Sequence, residues 1–237
     1  MENFSKSFYK RTIIVFFVKK MEKSSLRTGV VILSYILKII MIIFLVISIW
    51  KLQWVWIFGC ILALFVSLIP TILKRNYQIT LPLVLDILIT IALILHIGGG
   101  LLGAYRLPDY DTLTHFVSSF LIAFITFVII YILDEYWDGL EMDKYAMAFV
   151  VVIATIAMGV IWEFNEWITD IIFGTSEQWG YIDTLKDLFV DTVAGIVMAV
   201  IGVSMIKRGS FDELTEDLGE QIDKRIIKSK KDELKNG

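Results

Sequence analysis

Six apolar runs, each roughly 20 residues long, constrain this chain more than anything else in it. A helix needs about 20 residues to cross a hydrocarbon core of about 30 Å, and in lipid only a helix or a closed barrel satisfies its own backbone. The runs are Val31–Trp50, Leu52–Leu73, Tyr77–Ile97, Thr112–Leu133, Tyr145–Phe173 and Asp187–Ile206. They predict an all-α, polytopic bundle of six transmembrane helices. A mean hydropathy of +0.73 exceeds what a soluble domain of this length needs.

Three regions follow from the pattern: residues 1–29, the transmembrane domain 30–206, and a charged tail 207–237. The first region carries seven basic residues around a short apolar run, Thr12–Val18. That run is too short to span and is expected to lie in the interface, its lysines near lipid phosphates. The tail holds eight basic and eight acidic residues. Leu214, Leu218, Ile222 and Ile226 recur every four residues, giving a helix one apolar stripe. The stripe could pair with itself, dock on the membrane or pack on a cytoplasmic loop, so self-association or a protein partner is expected there. Membrane lipids are the other expected partner. No block of basic charge points to nucleic acid.

Basic residues in short loops set the orientation. The N-terminal region, Lys74, Arg75, Lys144, Lys207 and Arg208 lie on one side, and Lys51, Arg106 and Lys186 on the other. The positive-inside rule then places both termini in the cytoplasm.

With that threading, His96, Asp111, His115, Glu163, Glu166, Asp170, Asp187 and Asp191 arrive at one end of the bundle. Ionisable groups at membrane depth are expensive and mark functional sites by default. Asp111 and His115 are four residues apart and share a helix face; Glu163, Glu166 and Asp170 are spaced three and four; Asp183, Asp187 and Asp191 form a third stripe if their helix begins early. Carboxylates so close repel unless a metal ion, a shared proton, Arg106 or a cationic substrate lies between them. Oxygen-rich ligands with one or two histidines favour magnesium, manganese, calcium or zinc, and so little histidine favours a hard ion. Hydration and helix capping alone account for Asp111 and Asp187, but not for Glu163 or Asp191 inside apolar stretches.

Other residues carry narrower expectations. Asp86 falls mid-span in the third helix and must be protonated or partnered, with Lys38 expected to snorkel inward rather than meet it. Gly98, Gly99 and Gly100 are expected to break that helix. Gly195, Ala199 and Gly202 give the sixth helix a packing face. Trp162 and Trp167 are expected to anchor at the interface. The fifth span exceeds one crossing, so its end after Trp167 should rise above the lipid, tilt or break, and the loop Gly174–Lys186 could lid the site.

Taken together, these residues resemble the bacterial inner-membrane family typified by YjdF, whose function is unknown. The resemblance rests on Leu95-His96-x-Gly98, Tyr110-Asp111-x-Leu113-x-His115-Phe116, Glu163-x-x-Glu166-Trp167, Phe173-Gly174, Asp183, Asp187, Asp191 and Gly195. It covers the third to sixth spans in order. The Gly174–Asp183 loop departs from the family's Gly-Thr-Gln-Gly-Asp type of segment. A fainter similarity is to VanZ-like membrane proteins, which carry an Asp and His, then a Glu, then a late Asp on successive helices. The resemblance implies the fold and the importance of the polar residues, and supplies no reaction.

Three functions are compatible with this reading. In the first, an enzyme acts on a lipid or lipid-linked envelope molecule. A divalent metal (Mg, Mn or Zn) is held by His115, Glu163, Glu166, Asp187 and Asp191, with Asp111 orienting His115. Asp111, His115, Glu163, Glu166, Asp187 and Asp191 are then the catalytic set. In the second, the carboxylates bind a cation or relay protons in a transporter, with Asp86 continuing the path. In the third, the protein is a membrane scaffold whose partners bind the tail.

Overall fold

In the computed structural model, residues 25–77, 79, 81–136, 140–211, 214, 215 and 218 are described. They form six long helices: α1 (Ser25–Trp50), α2 (Trp54–Tyr77), α3 (Leu83–Leu102), α4 (Tyr110–Tyr136), α5 (Lys144–Phe173) and α6 (Tyr181–Arg208). A single 3₁₀ turn, Ala104–Arg106, links α3 to α4. All six are long and apolar enough to cross a membrane. The Thr12–Val18 run and the distal half of the tail stripe lie outside the described residues.

The lipid-facing surface is read directly from exposure. Ile32, Ile36, Ile39 and Ile43 run down one side of α1, each about half exposed. A soluble bundle would bury such a stripe, whereas in a bilayer it costs nothing. Helices α4, α5 and α6 pack on one another, α1 packs on α2 and α3, and α3 joins the two groups through α4. One apolar core gathers Phe124, Phe127, Val151 and Met198; a smaller one gathers Met41, Cys60, Ala63, Ile97 and Leu101.

Local chemistry fixes the helix ends. Asp143 caps α5, accepting from the backbone N–H of Tyr145 at 2.7 Å and of Ala146 at 3.3 Å. Gly174 and Gly209 close α5 and α6 in the left-handed conformation, at φ 65° and 67°. Leu52, at φ 54°, turns the tight α1–α2 hairpin.

Four expectations change. Helix α3 starts at Leu83, after Pro82, because α2 runs on through Tyr77. Asp86 therefore lies in the first turn of α3, not mid-span. Lys38 does meet it: its Nζ donates to Asp86 Oδ1 at 2.9 Å and Oδ2 at 3.1 Å, and to Ser34 Oγ at 2.7 Å, while Ser34 also bonds Asp86. The lysine stem is long enough to reach across from α1 to α3. The glycine triplet does not break α3, which runs unbroken to Leu102. Its missing side chains make room for rings, because a Cβ at Gly99 would strike Tyr105 and one at Gly100 would strike Trp56.

Helix α5 likewise continues unbroken through Phe173. Gly195 and Gly202 pack as expected, against Thr155 and Phe127. Beyond α6, Phe211 is fully buried against Phe127 and Tyr131, at 5.1 and 4.7 Å between ring centroids, and Leu214 and Leu218 join the same core.

Candidate functional site

Helix periodicity brings the site together. On α5, Met147, Val151, Thr155, Gly159 and Glu163 recur every four residues and are all buried. Glu163 therefore continues the face that packs into the bundle. On α6, Asp187 and Asp191 begin a buried face that continues through Ala194, Gly195, Met198 and Gly202. Helix α4 supplies Asp111, His115 and Ser119, again one turn apart. All three faces converge at the end of the bundle away from the start of α1 and the end of α6.

At the centre, Asp191 Oδ1 accepts a hydrogen bond from Ser119 Oγ at 2.7 Å and lies 3.3 Å from His115 Nδ1. The other ring nitrogen, Nε2, is 4.0 Å from Asp111 Oδ1, an ion-pair distance too long for a hydrogen bond. The structure thus gives the orienting contact of His115 to Asp191 rather than to Asp111. A carboxylate on one imidazole nitrogen fixes the ring and leaves the other to accept a proton or a metal. Donor atoms of Asp111, His115 and Asp187 all lie within 4.8 Å of one another. Asp191 reaches this position only because Gly159 has no side chain: a Cβ there would collide with its Oδ2 and lie 3.1 Å from its Cγ.

Charge is poorly compensated. Both oxygens of Glu163, Oδ1 of Asp187 and Oδ2 of Asp191 are buried without a hydrogen-bond partner. Glu163 is 5% exposed, Asp187 2% and Asp191 1%. Leaving ionised oxygens so far from water costs several kcal/mol each, on the order of the desolvation penalty of a buried ion.

Around this centre stands an aromatic wall. The His96 ring meets Trp162 edge-on at 5.1 Å, and its Nδ1 lies 2.9 Å from the Tyr105 hydroxyl. Trp162 Nε1 donates to Glu166 Oε1 at 2.8 Å, so this tryptophan positions a site acid. Trp167 is exposed, as an interface anchor is. Burial, helped by the charges of Asp111 and Glu166 and by Tyr110, pushes the Tyr105 phenol well above its ordinary range, so it stays protonated.

Of the eight residues expected at this end, Asp111, His115 and Asp187 bring donor atoms together and Asp191 holds the other side of His115, while Glu163, buried, and Glu166 stand outside that group. His96 belongs to the aromatic wall. Asp170 is committed to the following loop, accepting from Thr175 Oγ1 at 2.7 Å and from the backbone N–H groups of Glu177 and Gln178 at 2.8 and 3.0 Å. Ser119, Gly159 and Tyr105 were not anticipated. Ser119 carried a signal, since it extends the Asp111–His115 spacing by one more turn; Gly159 and Tyr105 carried none.

A family model described as "Predicted membrane protein (DUF2238)" matches residues 32–208, three-quarters of the chain. The chain belongs to this family. DUF2238 is the YjdF-like group anticipated from the sequence, and the matched range contains every residue of the site. No curated protein and no solved structure matches the chain. This DUF2238 member is therefore a membrane protein whose chemistry must be argued from its own residues.

Proposed function

We propose that this protein is a metal-dependent enzyme acting on a lipid or lipid-linked envelope molecule at the outer leaflet of a prokaryotic plasma membrane. The observation that carries this reading is the meeting of Asp111, His115 and Asp187 within 4.8 Å of one another. Buried carboxylate oxygens without a partner stand beside them. A divalent ion would relieve that repulsion, polarise a phosphoryl or acyl oxygen and lower the pKa of its bound water. Asp191, itself held by Ser119, keeps His115 in place; Glu163 and Glu166 supply further oxygen donors. The position of the site at one end of the bundle suits a substrate whose head group sits at the membrane surface. Transport through the bundle has less support, because Asp86 lies in the first turn of α3 rather than mid-span and is already bound by Lys38 and Ser34.

The test is elemental mass spectrometry on the detergent-purified protein, with phosphatidic acid and a polyprenyl phosphate assayed for phosphate release. The expected result is bound divalent metal that disappears in Asp187→Asn, together with metal-dependent hydrolysis. Bound metal without turnover of any lipid phosphate would move the reading to a cation carrier. A protein that folds and binds no divalent ion would end it.

A further inference from the structure

The end of the α5–α6 pair away from the acidic site carries charges that site does not use. Helix α5 begins at Lys144, and α6 ends at Lys207 and Arg208. Lys144 Nζ lies 5.1 Å and Lys207 Nζ 5.3 Å from the centroid of one ring, that of Tyr145. Two flexible ammonium groups thus converge on a single phenol, although like charges so placed repel. An ammonium on an exposed ring is weakly held, so a phosphate, through charge-assisted hydrogen bonds, can draw both lysines to itself. The adjacent acid in the chain, Asp143, is already occupied in capping α5.

Beside these charges runs an apolar seam. On α5, Tyr145, Phe149 and Ile153 recur every four residues and are exposed. On α6, Lys207 stands two turns from Val200 and three from Ile196, and all three are exposed. Residues at these spacings share a helix face, and the contact of Lys207 with Tyr145 sets the two faces side by side. A cationic head continued by two apolar rails matches the polarity of a phospholipid. A zwitterionic choline head would bring its own ammonium against the two lysines, whereas an anionic head would not.

We propose that this seam binds one anionic phospholipid of the cytoplasmic leaflet. Lys144, Lys207 and the Tyr145 hydroxyl hold its phosphate, and its chains lie along Phe149 and Val200. The leaflet follows from the positive-inside orientation, and the site is independent of the metal reading above.

The experiment is native mass spectrometry of the full-length protein released from detergent, titrated with phosphatidylglycerol or with phosphatidylcholine of the same chain length. One phosphatidylglycerol per chain is expected, bound at least about tenfold more tightly than phosphatidylcholine. Lys144→Gln/Lys207→Gln should abolish that preference. Lys74→Gln/Arg75→Gln, which removes equal charge from the last turn of α2, should keep it. An equal loss in both double variants would overturn the site in favour of diffuse attraction to a basic surface. Absence of a preference in the wild type would overturn it outright. Inorganic phosphate that displaces the lipid at equal concentration would show that the chains contribute nothing and overturn the lipid assignment. Should Lys144→Gln/Lys207→Gln fail to fold, Lys207→Gln alone decides by the same criterion: a weakened preference supports the site, and an unchanged one refutes it.

Discussion

The contact between Lys38 and Asp86 offers the sharpest test of how this bundle is held together. Their side chains are 10% and 13% exposed, and the ammonium lies 2.9 Å from the nearer carboxylate oxygen. At that distance the gross attraction is about 6 kcal/mol for an effective dielectric of about 20, most of it offset by the cost of taking both groups out of water. The net worth of the intact pair is therefore small, but removing one partner strands the other. Lys38→Met should cost about 3–5 kcal/mol, the range for a buried charge left alone. The double variant Lys38→Met/Asp86→Leu should return to within about 1 kcal/mol of the wild type, because an apolar pair carries no desolvation penalty. Reversible unfolding in mixed detergent micelles, followed by helix signal, would measure all four corners of this cycle. The reasoning fails if Lys38→Met costs less than about 1 kcal/mol, or if the two single costs simply add in the double variant.

Three further outcomes follow from the same structure. Gly159→Ala should push Asp191 off Ser119 and His115, lowering both the melting temperature and divalent-ion affinity, the latter at least about tenfold for a shift of about 1.4 kcal/mol. Asp170→Ala should free the 174–180 loop, read as faster amide exchange at Glu177 and Gln178 and faster cleavage by added protease, with the helices unchanged. Glu177 is exposed, and partial desolvation together with the charges of Asp170 and Asp111 still pushes its carboxyl up, so folding slightly disfavours its charged form. That cost is absent below the ordinary glutamate pKa of about 4.3 and complete once pH exceeds the raised value. Glu177→Gln should raise the melting temperature at alkaline pH, and the gain should vanish as pH falls towards about 4.

The six spans were legible because hydropathy over 20 residues is a strong signal and a bilayer admits few alternatives. Their boundaries were less so. Tyr77 reads equally well as the end of one helix or the start of the next, so hydropathy starts α3 six residues early and sets Asp86 too deep. Spacing pairs Asp111 with His115 and Asp187 with Asp191, since residues four apart on a helix share a face, and the threading of the chain brings Glu163 to the same end. What spacing could not give was contact between helices. The link between His115 and Asp191, the room left by Gly159 and the reach of Lys38 from α1 to α3 all depend on how close two backbones come. Asp170 had the right spacing for the site, yet neighbouring backbone amides claimed it first. Isolated propensity marks the glycine triplet as a helix breaker, but in α3 the space left by its absent side chains is filled by Tyr105 and Trp56.

His115 and the carboxylate that fixes it lie 76 residues apart, on the first and last of the three helices that build the site. At a synthesis rate of about 5–20 residues per second, His115 leaves the ribosome about 4–15 s before Asp191 exists. During that interval α4 and then α5 must enter the bilayer carrying Asp111, His115 and Glu163 with nothing yet to answer them. Whatever holds those helices in the meantime, a translocon or an insertase, has to tolerate polar cargo for seconds. A ribosome stalled before α6 emerges should therefore leave a nascent chain that is still retained at the insertion machinery, and release should coincide with the arrival of the last helix.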